Sequence, residues 1–498
     1  MSPPHAAHIV VDLGFGDAGK GTLTDWLVRR HGAGLVVRFN GGAQAGHNVV
    51  TDDGRHHTFS QFGAGTFVPG VRTHLARTTI VHPLAMLVEA RYLAERGAPD
   101  ALSRTTVSEG ARIITPFHQA AGRLRELARG TGRHGTCGVG VGETVRDALA
   151  HPEDALHACD LTRPAMLVRK AAAAQERLRA ELSEVRRAAS AHPQATSELV
   201  LLEDPEVPSR WADAVRALRP RERVVGDDWL APRLREGTTL FEGAQGVLLD
   251  EWRGFHPHTT WSTCTFDLAL ELLRDADFDG ALHRLGVLRA YATRHGEGPF
   301  PTEEPALAPA VPEPHNDAAG WQGGFRVGAF DAVLARYALA ACGGVDALAL
   351  THLDRLATRW PVCTAYRAPP QDADTGTLPR MHPASRAPME EADTDTRLRM
   401  HTASHAPAEY GGMFTRDTAD TSRVTALRLG PHRDLAYQEH LTRALATCHP
   451  LREELDLGGP PAERTERFVA WVESILGVKV AVTSHGPAAR DKRERGLT

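Results

Sequence analysis

An acid and an amine three residues apart, Asp17 and Lys20, sit inside a glycine-rich turn, Gly14-Phe15-Gly16-Asp17-Ala18-Gly19-Lys20-Gly21-Thr22. Such a turn lets backbone N–H groups converge on an anion, and a lysine adds a point charge suited to the outer phosphates of a nucleoside triphosphate. Two patterns overlap here. Gly14-x-x-x-x-Gly19-Lys20 is a P-loop, except that Gly21 stands where Ser or Thr would hold magnesium. Gly14-x-Gly16-x-x-Gly19 also fits the dinucleotide fingerprint. Asp17 separates the two, because an acid in the loop would repel a pyrophosphate unless it binds a metal or performs chemistry. Phosphate transfer is the favoured reading. A second glycine loop, Asn40-Gly41-Gly42-Ala43-Gln44-Ala45-Gly46-His47, ends in a histidine, and a third, Gly243-Ala244-Gln245-Gly246, carries a glutamine. Histidine can move a proton near neutral pH, and a glutamine amide both donates and accepts.

The elements that must position these groups follow from hydrophobic spacing. Residues 8–12 read as a buried strand, and 22–31 as a helix with Leu23, Trp26 and Leu27 on one face, stopped by Gly32 and Gly34. Residues 35–39 read as a second strand. Two strand-then-loop units in series put both loops at the carboxyl edge of one sheet, which would bring Asp17, Lys20 and His47 towards one pocket. Further strands are expected at 238–242, 287–291, 348–354 and 478–482; the third ends in an acid, Asp354, and the others run into loops. Between them, 80–129 reads as helices broken by a short strand at 105–108, and 135–142 as a glycine loop. Residues 165–189 read as one long helix with a stripe of Leu167, Ala171, Ala174, Leu178, Leu182 and Val185. Near the end, Phe468, Trp471, Val472 and Ile475 form a helical stripe capped by Gly477. The expected fold class is α/β, a large mostly parallel sheet flanked by helices.

Composition excludes several classes. The 498 residues carry a formal net charge of −5, which gives no sign of a nucleic-acid partner. No apolar run approaches the roughly 20 residues that span a bilayer, and the first residues lack a signal-peptide pattern. Six scattered cysteines offer no C-x-x-C pair, so a reducing cytoplasm is expected. One stretch departs from the rest: Ala373-Asp374-Thr375 through Arg386-Ala387-Pro388 recurs nineteen residues later as Ala392-Asp393-Thr394 through His405-Ala406-Pro407. Residues 367–410 are therefore read as a duplicated, mobile insertion without a catalytic role.

With these loops assembled, the chain resembles the adenylosuccinate synthetases, from about residue 8 to 490. The family's G-D-E-G-K-G is here Gly16-Asp17-Ala18-Gly19-Lys20-Gly21, and its G-G-H-N-A-G-H-T is Gly41-Gly42-Ala43-Gln44-Ala45-Gly46-His47-Asn48. Its F-E-G-A-Q-G is Phe241 to Gly246, and S-T-R-x-G-x-G-P-F-P-T-E runs from Thr293 to Glu303. T-K-L-D becomes Thr351-His352-Leu353-Asp354, and S-T-G-P becomes Ser484-His485-Gly486-Pro487. The resemblance implies a single domain over 1–498, a P-loop-like GTP site, Mg²⁺, a homodimer, and GTP-driven joining of aspartate to inosine monophosphate (IMP). Asp17 would be the base on N1–H of the 6-oxopurine and, with the Gly46 carbonyl, a magnesium ligand. His47 and Lys20 would stabilise the transferring phosphoryl group, and Gln245 would hold the base being activated. Gly16, Gly19, Lys20, Gly21, Asp354, Ser484 and Gly486 would bind GTP. Asn40, Gln44, Thr136, Thr260 and Arg326 would contact the other substrates.

The departures are as informative. The family's acid-recognition loop, T-T-G-R-R-R-R-T-G-W, aligns with residues 320–329, where only Arg326 remains of four arginines. Each lost bidentate contact is worth roughly 1.5–3 kcal/mol. At the nucleotide-phosphate loop, Glu143 stands where it would oppose phosphate. Adenylosuccinate synthesis is the default expectation. The rivals are a relative using the same activation on another carbonyl or amine, a non-catalytic nucleotide-binding protein, and a dinucleotide-dependent oxidoreductase.

Overall fold

Strands that read as near-continuous apolar runs belong inside a parallel sheet covered on both faces, and this chain builds one of ten strands. The computed structural model describes residues 5–130, 135–190, 192–313, 321, 323–368 and 412–496. The repeated stretch falls almost wholly outside them. Numbered in chain order, the strands of the main sheet are β1 (Ala6–Asp12), β2 (Leu35–Arg38), β3 (Arg72–Leu75), β4 (Thr105–Ser108) and β5 (Val224–Val225). They continue with β6 (Thr238–Glu242), β7 (Ala281–Arg289), β8 (Ala347–Thr351), β9 (Val480–Ser484) and β10 (Lys492–Glu494). Their spatial order is β10-β9-β8-β7-β1-β6-β2-β3-β4-β5. All neighbours run parallel except β10, which is antiparallel to β9.

Side chains alternate between the faces of β1. Val10 joins Leu240, Val287, Ala349 and Val482 beneath helix α1 (Lys20–His31), which contributes Leu23, Leu27 and Val28. Ile9 and Val11 face the other way, onto a core with Phe241, Leu350 and the helices Ala332–Ala341 and Pro461–Leu476. Helices Pro83–Glu95, Pro116–Arg129 and Pro164–Glu181 share a second core around Phe117, Leu124 and Leu178.

The expected helix over 165–189 is two, Pro164–Glu181 and Ser183–Ala189, separated where Leu182 leaves helical backbone angles (φ −87°, ψ 13°). The apolar face turns there, so Leu182 is buried and Val185 only half-buried. The strand expected at 478–482 runs instead from Val480 to Ser484, the one at 287–291 begins earlier, at Ala281, and the one at 348–354 stops at Thr351, before a turn at Leu353–Arg355. A five-stranded sheet, including Arg359–Arg367, Phe414–Arg416, Arg423–Leu427 and His449–Asp456, was not expected. No helix among the described residues is long and apolar enough to cross a membrane.

The register of the sheet sets its carboxyl edge. Arg38 is opposite Glu242, Glu242 is opposite Val10, Asp12 is opposite Val287, and Arg289 is opposite Thr351. The loops after β1, β2, β6, β7, β8 and β9 therefore leave from one edge.

Candidate active site

The first loop turns tightly into α1. Gly19 is the residue before the helix and holds φ +90°, a conformation costly for any residue with a Cβ. Asp17 also lies in the left-handed region, at φ 61°. Its backbone carbonyl accepts from Arg289 Nη1 at 3.1 Å, and its Oδ2 lies 3.4 Å from His295 Nε2. The Asp17 side chain keeps 32 % of its surface exposed at the edge of the sheet. Crowding by the surrounding loops raises its pKa, against the opposing pull of His295, Lys20 and Arg289.

Lys20 is only 4 % exposed, and its Nζ donates to Asp12 Oδ2 at 3.0 Å. Asp12, the last residue of β1, also accepts from the N–H groups of Gly14 and Ala18 at 2.8 and 2.9 Å. One carboxylate thus fixes both the loop and its lysine. Sequence reasoning missed Asp12, although an acid ending a buried strand is itself a signal.

His47 begins a short hairpin, His47–Val50 with His56–Phe59, and is 5 % exposed. Its Nδ1 pairs with Glu242 Oε1 at 2.7 Å, while Glu242 Oε2 accepts from Ala64 N–H at 3.0 Å and lies 4.0 Å from Arg38. Burial pushes the His47 pKa down to about 4, in spite of Glu242. Burial also works to raise Glu242, but His47 and Arg38 hold it below the usual carboxylate range. In the sequence Glu242 reads only as the last residue of a strand.

The three glycine loops interlock. A Cβ on Gly21 would fall 2.7 Å from His47 Cβ and 2.8 Å from its carbonyl carbon. The place where a P-loop carries Ser or Thr is thus occupied by the second loop. Gly246 lies against the Gly14 carbonyl and the Gly16 N–H, and a Cβ on Gly41 would fall 2.7 Å from Gln245 Oε1. Asn40 ties the second loop to the third, its Oδ1 accepting from Ala244 N–H at 2.7 Å and its Nδ2 donating to Ala244 and Thr263 carbonyls. The Gln245 and Gln44 amide oxygens are both buried without a hydrogen-bond partner among the described residues. An orphaned acceptor in a loop cluster is what a ligand donor or water would satisfy.

On the β8–β9 side, Gly19 faces Thr351 and His352, and Thr22 Oγ1 donates to the Pro487 carbonyl. Lys492 Nζ donates to the Gly486 and Ala488 carbonyls, both at 2.9 Å, and to Thr22 Oγ1; burial lowers its pKa to about 8. Ser484 Oγ donates to the Gly486 carbonyl at 3.2 Å. Asp354 is exposed beside Arg355, 3.2 Å away, and His352 is held neutral by burial.

The remaining expected residues lie in neighbouring loops with other commitments. Thr136 Oγ1 accepts from Gly138 N–H at 3.5 Å, and Thr260 N–H donates to the Leu249 carbonyl at 2.8 Å. Trp261 bridges these loops, since a Cβ on Gly142 would fall 2.9 Å from its ring. Arg326 donates to Glu303 Oε2 and to the Gly296 and Gly298 carbonyls at 2.6–3.0 Å, so it pins a hairpin. Glu143 is paired with Arg125 at 3.0 Å and Arg146 at 2.9 Å, so its charge is met by two guanidinium groups. For magnesium, Asp17 and the Gly46 carbonyl offer hard oxygen donors, and no cluster of three metal-ligating side chains occurs among the described residues. One carboxylate fits an ion that keeps its waters and takes phosphate oxygens.

Comparison with known proteins gives the family. The family model for adenylosuccinate synthetase matches residues 9–395. The adenylosuccinate synthetase of Methylibium petroleiphilum is 32 % identical over 362 residues, covering 70 % of this chain and 77 % of its own. That of Rhodococcus erythropolis is 33 % identical over 371 residues, covering 72 % and 80 %. The fully ligated adenylosuccinate synthetase of Plasmodium falciparum superposes with a TM-score of 0.68 at 18 % identity, over 99 % of this chain and 100 % of that one, which shows a shared fold. The chain belongs to the adenylosuccinate synthetase family, ligases that form a C–N bond.

Proposed function

We propose that the protein is a GTP- and Mg²⁺-dependent ligase that phosphorylates the 6-oxo group of IMP and lets aspartate displace the phosphate, giving adenylosuccinate. The observation that carries this reading is the meeting of Asp17, Lys20 and His47, from consecutive loops, at one sheet edge, with Gly21 packed on the His47 backbone. Asp17 takes the proton from purine N1, which leaves O6 nucleophilic towards the γ-phosphorus. The buried Lys20 and the loop N–H groups meet the charge that develops on the phosphoryl oxygens. Glu242 on Nδ1 leaves Nε2 of His47 as the nitrogen for phosphoryl or leaving-group oxygens, and stabilises the imidazolium that forms there. Gln245 offers its unpaired amide oxygen to the purine. Asp17 and the Gly46 carbonyl would hold Mg²⁺, which when bound would neutralise charge on the triphosphate. Asp354, Ser484 and Gly486 form the guanine side. The chain works as a homodimer in the cytoplasm.

The test is phosphate release with GTP, IMP and aspartate, set against ATP and against Asp17→Asn. The expected outcome is GTP-dependent release that falls at least about 1,000-fold in the variant. A folded protein that binds GTP but yields no phosphate from IMP and aspartate would overturn it. A second reading, the same activation applied to another acceptor or amine, is favoured by Arg326. Its Nη1 and Nη2 are already committed to Glu303 and two carbonyls. A panel of acceptors and amines separates the two.

A further inference from the structure

Asp17 is held at both ends by residues of one continuous strand-and-hairpin segment. Arg289 ends β7 and takes the Asp17 backbone carbonyl, which supports a left-handed conformation at a residue with a Cβ. Six residues later, His295 ends the strand Ala292–His295 and meets the Asp17 carboxylate at Oδ2. Nothing in the sequence motif points to this histidine, because the S-T-R-x-G-x-G-P pattern leaves its position open.

His295 is not a loose surface side chain. It pairs across the hairpin with Phe325, and its ring meets the Phe325 ring edge-on at 4.7 Å. The neighbouring Arg294 is fully buried, donating to the Glu297, Pro299 and His258 carbonyls, and Arg326 opposite it ties down Gly296 and Gly298. The hairpin end is therefore a fixed platform. The Asp17 side chain, by contrast, is one-third exposed and on a short loop, so its rotamer needs an outside contact. The charged groups around the carboxylate are His295, Lys20, Arg289 and Asp12.

We propose that His295 is a positioning residue, its Nε2 holding Oδ2 of Asp17 so that Oδ1 is turned to the acceptor. The role rests on the reading of Asp17 as the base. A base misplaced by about 1 Å loses on the order of 100-fold in rate.

Three variants test it: His295→Leu removes the contact, His295→Asn is too short to reach, and His295→Gln restores a donor at similar distance. Leu and Asn are expected to lower kcat for phosphate release about 30- to 100-fold with KM for GTP unchanged within twofold. Gln is expected to recover at least about a third of the wild-type rate. Crystal structures of wild type, His295→Leu and His295→Gln give a readout that needs no turnover. The Asp17 side chain should leave its wild-type rotamer with Leu and keep it with Gln. Unchanged kcat in folded Leu and Asn variants, or one Asp17 rotamer in all three structures, overturns the proposal. If the wild type does not turn over IMP, the functional reading alone has failed, and the rotamers decide the role of His295.

Discussion

A carboxylate behind an imidazole decides which ring nitrogen faces the reaction, and Glu242 stands in that relation to His47 at 2.7 Å. Burial, only partly offset by Glu242, leaves His47 uncharged down to about pH 4, so the imidazolium must be further stabilised as the phosphoryl group moves. Replacing Glu242 by Gln keeps the shape and removes the charge. It is expected to lower kcat for phosphate release roughly 100-fold while KM for GTP stays within threefold, measured by steady-state kinetics. At this scale the candidate residues legible in the sequence are those in glycine loops: Asp17, Lys20, His47 and Gln245 all stand out by their neighbours. Glu242, Arg289 and His295 do not, and Asp12 signals only as an acid ending a buried strand. Each is a lone charged or polar residue at a strand end, and its meaning comes from a partner that folding brings close. Glu242 is 195 positions from His47. Arg289 is 272 from Asp17.

At the scale of elements, the contact between α1 and the His47–Val50 strand explains an oddity of the first loop. A hydroxyl residue at position 21 would suit a magnesium-binding P-loop, but the space is filled by the backbone of the second loop. Gly21→Ser is therefore expected to destabilise the fold by about 1–3 kcal/mol through overpacking. It should also reduce phosphate release by displacing His47. Chemical denaturation and the same kinetic assay check both. Strands flanked by glycine turns were legible, as at 238–242, which the structure matches end for end. The strand His449–Asp456 was not, because Arg452, Glu453 and Glu454 give it no apolar alternation and it is largely exposed. The helix break at Leu182 was equally hidden, since the apolar spacing runs through it unbroken.

For the molecule as a whole, buried neutral histidines weaken the fold in acid, opposed by the carboxyls of Asp250 and Asp331, whose pKa burial raises to about 6. His8 stacks between His31 and His283, with ring centroids 4.5 and 4.6 Å away, and burial and those neighbours lower its pKa from 6.5 to about 3. Burial brings His74 down from 6.5 to about 4. Below pH 6.5 the unfolded chain takes up protons that the folded chain refuses. Stability is thus full above that pH and falls towards pH 4, by about 1.4 kcal/mol per pH unit for each such group. Thermal midpoints measured from pH 7.5 to 4.5 should fall on the acid side, and less steeply in His8→Phe. An equal slope in the variant would contradict the assignment to His8. None of this was visible in 26 dispersed histidines; what matters is which of them the packing encloses.

The order of the sheet has a consequence for the growing polypeptide. β1 and β2 are made first, yet they are separated by β6, which ends at Glu242. A nascent chain cut short before that strand has an open edge at β2, and β1 has no neighbour on either side because β7 is also still to come; it also lacks Gln245 and Glu242, which complete the loop cluster. The loop cluster therefore cannot assemble until β6 is made, and until then those bare edges are the places where ribosome-bound chains would stick to one another.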